Sequence, residues 1–444
     1  MTLPIHKFDK QRLKLSYVEW RIMKIEVLGG GGEIGRIGIL LKCNEHDKKL
    51  LLDYGVMLTD GEPEFPLHVS PRELKAIVLS HAHLDHSGGI PLLYVSEEPK
   101  LITTKLTAEM TELLIQDFIK ISGYYLPYES LELNLMLKNV EPVFYGQELK
   151  LGKIGLRFFN AGHIPGSMMT LIEVSGKRIL YTGDINIINT RLLKGAPRKL
   201  PKVDLVIIEG TYATTDHPNR KELEKKFVAE VNEVVSNGGI VLIPAFSVGR
   251  SQEVLCILTA YKVKHKVYLD GMARKASRIM LRHPGYFRSY KLLVKALEKA
   301  IWISGKSHRK KACKNPGIII SPAGMLKGGT AVFYMKKLAM DEKNAVFLVS
   351  YQIPGTPGHI LLEKGVFNFG DRIEKVKAKV EWFDFSSHCG RSELIEFIKR
   401  AREKGAEIAM IHCEKDSAKI LAESIKDELG ISITLPSTGE ELII

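Results

Sequence analysis

The chain has 444 residues, a net charge of +13 from 64 Lys and Arg against 51 Asp and Glu, and 45% apolar residues. It exceeds the roughly 250–300 residues at which one hydrophobic core stops growing, so two domains are expected. No apolar run approaches the ~20 residues of a membrane span, and the first residues lack the apolar stretch of a signal peptide, so a soluble, cytoplasmic protein without a membrane partner is expected. The charge excess favours polyanions, nucleic acid above all. Cys43, Cys256, Cys313, Cys389 and Cys413 are odd in number and form no CxxC, which argues against disulfides and against a thiolate zinc finger.

In chain order, residues 1–22 read as a polar extension, and Met23 opens a clean strand pattern that could equally be a natural start. Strand-like runs follow at 24–29, 36–42, 49–53, 76–80, 154–160, 169–174, 178–182 and 203–208, with helical periodicity at 105–121. Strands with few helices predict stacked sheets flanked by helices, an α+β sandwich over 23–208. From Glu209 the text changes to strand–helix alternation. Helices are predicted at 221–236 and 250–261, a strand at 239–244, and buried parallel strands at 267–269, 317–321 and 345–350. We read 209–370 as an inserted α/β domain and 371–444 as the return to the first, with a strand at 377–383, a helix at 391–403, a strand at 407–412 and a helix at 417–428. The densest basic run, Lys306 to Lys314, reads as a solvated loop or a polyanion contact.

The strongest chemical signal is His81-Ala-His83-Leu-Asp85-His86, placed directly after an apolar strand. Four N and O donors in six positions suit Zn²⁺ or a similar first-row ion. Odd spacing lets His81, His83 and Asp85 converge while His86 points elsewhere, so one loop could feed two ions. Further donors end other predicted strands: Asp53, His163 and Asp184. Taken singly, each has an ordinary reading as a turn-capping Asp or a satisfied histidine.

The order Asp, HxHxDH, His, Asp resembles the metallo-β-lactamase superfamily over residues 24–208. The resemblance implies an αββα core in which His81, His83 and His163 hold one metal. It assigns Asp85 and His86 to a second, with Asp184 bridging and Asp53 orienting a ligand. Two such ions about 3.5–4 Å apart hold and activate a hydroxide between them, a hydrolytic site. Three downstream features resemble the β-CASP nuclease branch, which carries an inserted domain: Val206-Ile-Ile-Glu209, Phe385-Ser-Ser-His388, and Ala409-Met-Ile-His412.

In that branch, RNA-acting members carry His at the position of His412 and DNA-acting members tend to carry Val. The resemblance therefore implies His412 as a second-metal ligand and single-stranded RNA as substrate. It gives His388 contact with the scissile phosphate, Glu209 as the carboxylate that steadies it, and Asp85 a place in the catalytic set. It also implies 5′-phosphate and 3′-hydroxyl products. Segments around Ser247 and Arg250, Ser321 and Gly324, and Tyr351, Gly358 and His359 resemble β-CASP signatures and are candidate substrate contacts.

There are departures. Members of the branch commonly have Arg where His359 stands, and Ala then Asp where Ser387 and Gly390 stand. The HxHxDH-Ser-Gly-Gly loop resembles the archaeal cleavage and polyadenylation specificity factor type, and we see no region large enough for KH modules. The expectation is a ribonuclease with two Zn²⁺ per chain, Mn²⁺ being the alternative, in RNA processing or decay. It could act as endonuclease or 5′→3′ exonuclease, as a homodimer or with RNA-processing partners. The rivals are a DNA nuclease of the same branch, a small-molecule hydrolase, and a catalytically weak scaffold.

Overall fold

The computed structural model describes residues 23–42, 48–58, 62–122, 126–370 and 372–444. The extension at 1–22 and Cys43 lie outside the described residues. Two mixed sheets stack face to face. The first runs Glu441–Ile443, Lys24–Gly29, Gly38–Lys42, Lys49–Tyr54, Leu74–Val78, Lys100–Thr104 and Val140–Val143. It is antiparallel at one side and parallel from Lys49–Tyr54 onward. The second runs Glu407–Ile411, Leu205–Glu209, Lys177–Tyr181, Met168–Val174, Ile154–Asn160 and Glu148–Leu151.

Strand alternation divides the side chains between layers. In Leu205–Glu209, Leu205 and Ile207 enter the core between the sheets, with Ile25, Leu52, Val78, Phe158 and Ile172. Val206 and Ile208 face outward and pack with Leu394, Phe397 and Leu421 of helices Arg391–Arg402 and Lys415–Leu429. On the far side, Ile115 of helix Lys105–Ser122 and Met136 of helix Ser130–Lys138 cover Ile77 and Leu101. The layers are those of the predicted sandwich.

The inserted unit is a parallel sheet ordered Ile301–Trp302, Val267–Leu269, Gly317–Ser321, Ile240–Pro244, Ala345–Leu348 and Lys379–Trp382, with helices on both faces. Its last strand corrects the reading of 371–444 as belonging wholly to the sandwich. Lys379–Trp382 pairs with Ala345–Leu348, Val380 opposite Val346, so the inserted sheet ends near Trp382. Its alternating charged and apolar residues suit an edge strand as well as a sandwich strand, which is why pattern alone misplaced it. The basic run is likewise not a loop. It forms helix Lys306–Ala312, with Arg309 bonded to buried Asp270 at 2.6 Å. No helix among the described residues is long and apolar enough to cross a membrane. Cys256, Cys389 and Cys413 are buried and Cys313 partly so, none in a disulfide.

Candidate active site

The donors sit where strands of both sheets end. Asp53 lies near the end of Lys49–Tyr54, the HxHxDH loop follows Leu74–Val78, Asp184 follows Lys177–Tyr181, and His412 follows Glu407–Ile411. The HxHxDH loop is docked tightly onto its neighbour. The Ile37 amide donates to the Asp85 carbonyl at 2.8 Å, and Val56 donates to Leu84 at 2.9 Å. Gly55 permits this approach, because a Cβ there would lie 1.7 Å from the Asp85 carbonyl oxygen. Asp53 and His412 hold positive φ angles of 54° and 51°, a conformation non-glycine residues rarely adopt and one that clusters at functional sites.

His81, His83, His163 and Asp184 converge. His83 Nδ1 lies 3.2 Å from His81 Nε2 and 3.1 Å from His163 Nε2, while Asp184 Oδ2 lies 3.4 Å from His81 and 3.5 Å from His163. A tetrahedral ion with bonds of about 2.0–2.1 Å needs donors about 3.3–3.4 Å apart, so the spacing fits. The other carboxylate oxygen, Asp184 Oδ1, lies 3.2 Å from His86 Nε2 and 3.6 Å from His412 Nε2, which is 3.7 Å from Asp85 Oδ2. Asp184 therefore presents one oxygen to each cluster. His86 Nε2 and Asp184 Oδ1 are buried without a hydrogen-bond partner, which is costly unless something else satisfies them.

Protonation states divide between the donors. Burial opposes charge on His86, but Asp184 and Asp53 outweigh it and hold it well above the usual histidine range, so it must shed a proton to bind an ion. Burial, with the neighbouring His81, pushes His83 down to about 3. Burial, with His388, holds His163 well below the usual range, and burial also lowers His412. Burial opposes ionisation of Asp184, but His86, His412 and His81 outweigh it and hold its carboxyl well below the carboxylate range. Neutral imidazoles and a carboxylate are the forms a metal binds.

The outer contacts orient the rings. Asp53 Oδ2 accepts from His86 Nδ1 at 2.7 Å and from the Tyr181 hydroxyl at 2.6 Å. Ser80 adds its amide and hydroxyl to the same carboxylate at 2.7 and 2.6 Å. His163 Nδ1 donates to the Ser387 carbonyl at 3.0 Å. His412 differs, since the Gly35 amide points at its Nδ1 from 3.3 Å, and Nε2 becomes a free lone pair only when the proton moves to Nδ1 and that contact yields.

Beside the first cluster, His388 Nδ1 bonds Glu209 Oε1 at 2.8 Å, and its ring centroid lies 4.4 Å from that of His163. The Ile185 and Thr211 amides donate to Glu209 at 3.0 Å each, fixing the carboxylate. Burial pulls His388 down, but the charge and hydrogen bond of Glu209 outweigh it and push it up to about 9. The inserted unit closes over this edge. Arg250 Nη2 donates to the Ser387 hydroxyl at 3.1 Å, Arg250 Nε is buried and unpartnered, and Phe246 stands over His83 at 6.4 Å.

The remaining candidates scatter. Ser247 precedes the helix that begins at Arg250, and Tyr351 packs edge-on to Tyr212 at 5.4 Å beside His388. The Ser321 hydroxyl is buried and shared with Thr330 at 2.6 Å, and Gly324 is backed by Phe246 and Ser350. Gly358 packs on Gln352, and His359 lies partly exposed, 3.9 Å from Glu363. The structure does not bring Ser321, Gly358 or His359 into contact with the His/Asp cluster. Sequence reasoning missed Ser80, Tyr181, Ser387 and the pair His217–Asp384. Only the departure at Ser387 had marked one of them.

Residues 39–227 match the metallo-beta-lactamase superfamily, 251–361 the Beta-Casp domain, and 373–436 the Zn-dependent metallo-hydrolase RNA specificity domain. "RNase aCSPSF2" of Saccharolobus solfataricus is 41% identical over 423 residues, 94% of this chain and 85% of that protein. The chain belongs to the β-CASP branch of the metallo-β-lactamase superfamily. "Probable RNase MJ4" of Methanocaldococcus jannaschii is 36% identical to this β-CASP chain over 95% of it and 100% of that protein. "Transcription termination factor FttA" of Thermococcus kodakarensis is 32% identical over 94% of the chain and 70% of that protein. A crystal structure of a protein of unknown function from Enterococcus faecalis V583 shares the β-CASP chain's fold, with TM-score 0.61 at 16% identity over 95% of this chain and all of that one. The chain is a metallo-hydrolase by family, and the His/Asp cluster is its candidate metal site.

Proposed function

We propose that this chain is a metal-dependent ribonuclease that hydrolyses phosphodiesters of single-stranded RNA, in RNA processing or decay. The observation that carries the reading is the Glu209–His388 pair standing against a ligand cluster that Asp184 divides between its two oxygens. A segment matching an RNA specificity domain and two relatives named as RNases support RNA over DNA. His81, His83 and His163 would hold one Zn²⁺ and Asp85, His86 and His412 a second, with Asp184 offering an oxygen to each and Mn²⁺ as the alternative ion. Bound metal supplies Lewis acidity at the phosphoryl oxygen and an activated water.

The chain's own groups do the rest. Asp53 fixes the tautomer of His86, so that Nε2 faces the cluster. Glu209 keeps His388 protonated near neutral pH, with the ring's other nitrogen free to give a proton to the leaving 3′ oxygen. Arg250 is a buried guanidinium held by one neutral hydroxyl, a receptor for a backbone phosphate. Ser247, three residues before Arg250, and Tyr351, packed on Tyr212, are further candidate contacts. Cytoplasmic action, homodimerisation and association with RNA-processing partners belong to the same proposal.

Asp85→Ala and His86→Ala test it, with metal content by mass spectrometry and cleavage of matched RNA and DNA oligonucleotides. Both variants should lose metal and RNA cleavage together, while wild type cuts RNA in preference to DNA. Full metal and full activity in either variant would overturn the ligand assignment, and equal cutting of DNA would overturn the substrate.

A further inference from the structure

Between the last strand of the inserted sheet and His388 runs Phe383-Asp384-Phe385-Ser386-Ser387. Phe383 and Phe385 are fully buried against Phe227, and the Phe385 amide donates to the Phe383 carbonyl at 2.8 Å, a tight turn with Asp384 at its centre. Its carboxylate receives two donors. His217 Nδ1 reaches Oδ2 at 2.6 Å, and the Ser386 amide reaches Oδ1 at 3.1 Å. The Ser386 hydroxyl in turn accepts the His388 amide at 3.1 Å. Glu209 thus fixes the ring of His388, and Asp384 fixes the backbone that carries it.

Packing alone does not account for His217. Its Nε2 is buried with no partner, and its ring lies edge-on to Tyr212 at 4.5 Å, whose hydroxyl is also buried and unpartnered. An apolar ring of that size would fill the space without the cost of unsatisfied polar atoms. What an imidazole adds is the charge-assisted bond from Nδ1 to Asp384.

We propose that Asp384 and His217 are a positioning pair for His388. The inference rests on the ribonuclease reading of His388. Asp384→Ala should lower kcat on RNA by on the order of 10–100-fold, the scale of lost outer-sphere support, with KM and metal content near wild type. His217→Ala should fall equally far, and the double variant no further, because both act through one bond. If Asp384→Ala fails to fold, His217→Phe, which keeps the ring and removes the bond, should show the same kcat loss. An unchanged kcat in these variants, a loss that tracks metal content, or additive losses in the double variant would overturn the pair. Wild type inactive on RNA would instead remove the ribonuclease reading, and this inference with it.

Discussion

At the scale of single residues, the His388–Glu209 contact makes a prediction with a definite sign. An ordinary histidine titrates near pH ~6.5. Burial pulls His388 below that, but the Glu209 charge and hydrogen bond raise it to about 9. As a proton donor, His388 is competent below its folded pKa and fails as pH rises through it. Glu209→Gln keeps the shape and removes the charge, so the alkaline limb of kcat/KM should move to lower pH, with about 10²–10⁴-fold lost above neutrality. A limb that stays in place would separate Glu209 from His388. The clustering of the His and Asp side chains was legible at this scale because four potential donors in six positions admit few other uses. Ser80, Tyr181 and Asp384 were not legible, because a lone hydroxyl or turn carboxylate shows its partner only once strands far apart in sequence are paired.

Elements position those residues, and here sequence pattern served well wherever apolar period and burial agree. The buried runs Leu205–Glu209 and Ile240–Pro244 read cleanly because both of their faces pack, leaving a continuous apolar signal. Lys379–Trp382 failed because half-exposed edge residues carry no mark of the sheet they join. The element that matters most for the site is the turn after Lys49–Tyr54. Gly55 has no room for a side chain, since a Cβ would overlap the Asp85 carbonyl and push the HxHxDH loop off its seat. Gly55→Ala should therefore release metal while the inserted unit stays folded, read as metal content against circular dichroism. Undiminished metal binding would show that the loop holds its geometry without that contact.

Across the whole molecule, the two units share an apolar core, with Leu106, Met110, Ile164 and Leu193 of the sandwich in one buried cluster with Val254, Ala273 and Phe287 of the inserted unit, and buried charge fastens the same joint. Glu253, on helix Arg250–Ala260 of the inserted unit, accepts the Arg191 and Leu192 amides of the sandwich at 2.9 and 2.7 Å and pairs with Arg220. Glu224, on helix Arg220–Ser236, bonds Arg191 and Arg220 at 2.8 and 3.0 Å. Arg220, Glu224 and Glu253 expose little of their side chains, so a missing partner strands a charge or an amide away from water. Glu253→Ala should cost roughly 3–5 kcal/mol in urea unfolding, far above the ~0–1 kcal/mol of an exposed pair such as Lys225–Glu222. The loss should also reach catalysis, because the same helix starts at Arg250, which bonds Ser387 beside His163. Loosening the joint frees the helix that carries that guanidinium, so RNA affinity should fall together with stability. Stability lost with RNA affinity intact would mean that the inserted unit holds its end of the cleft without this network.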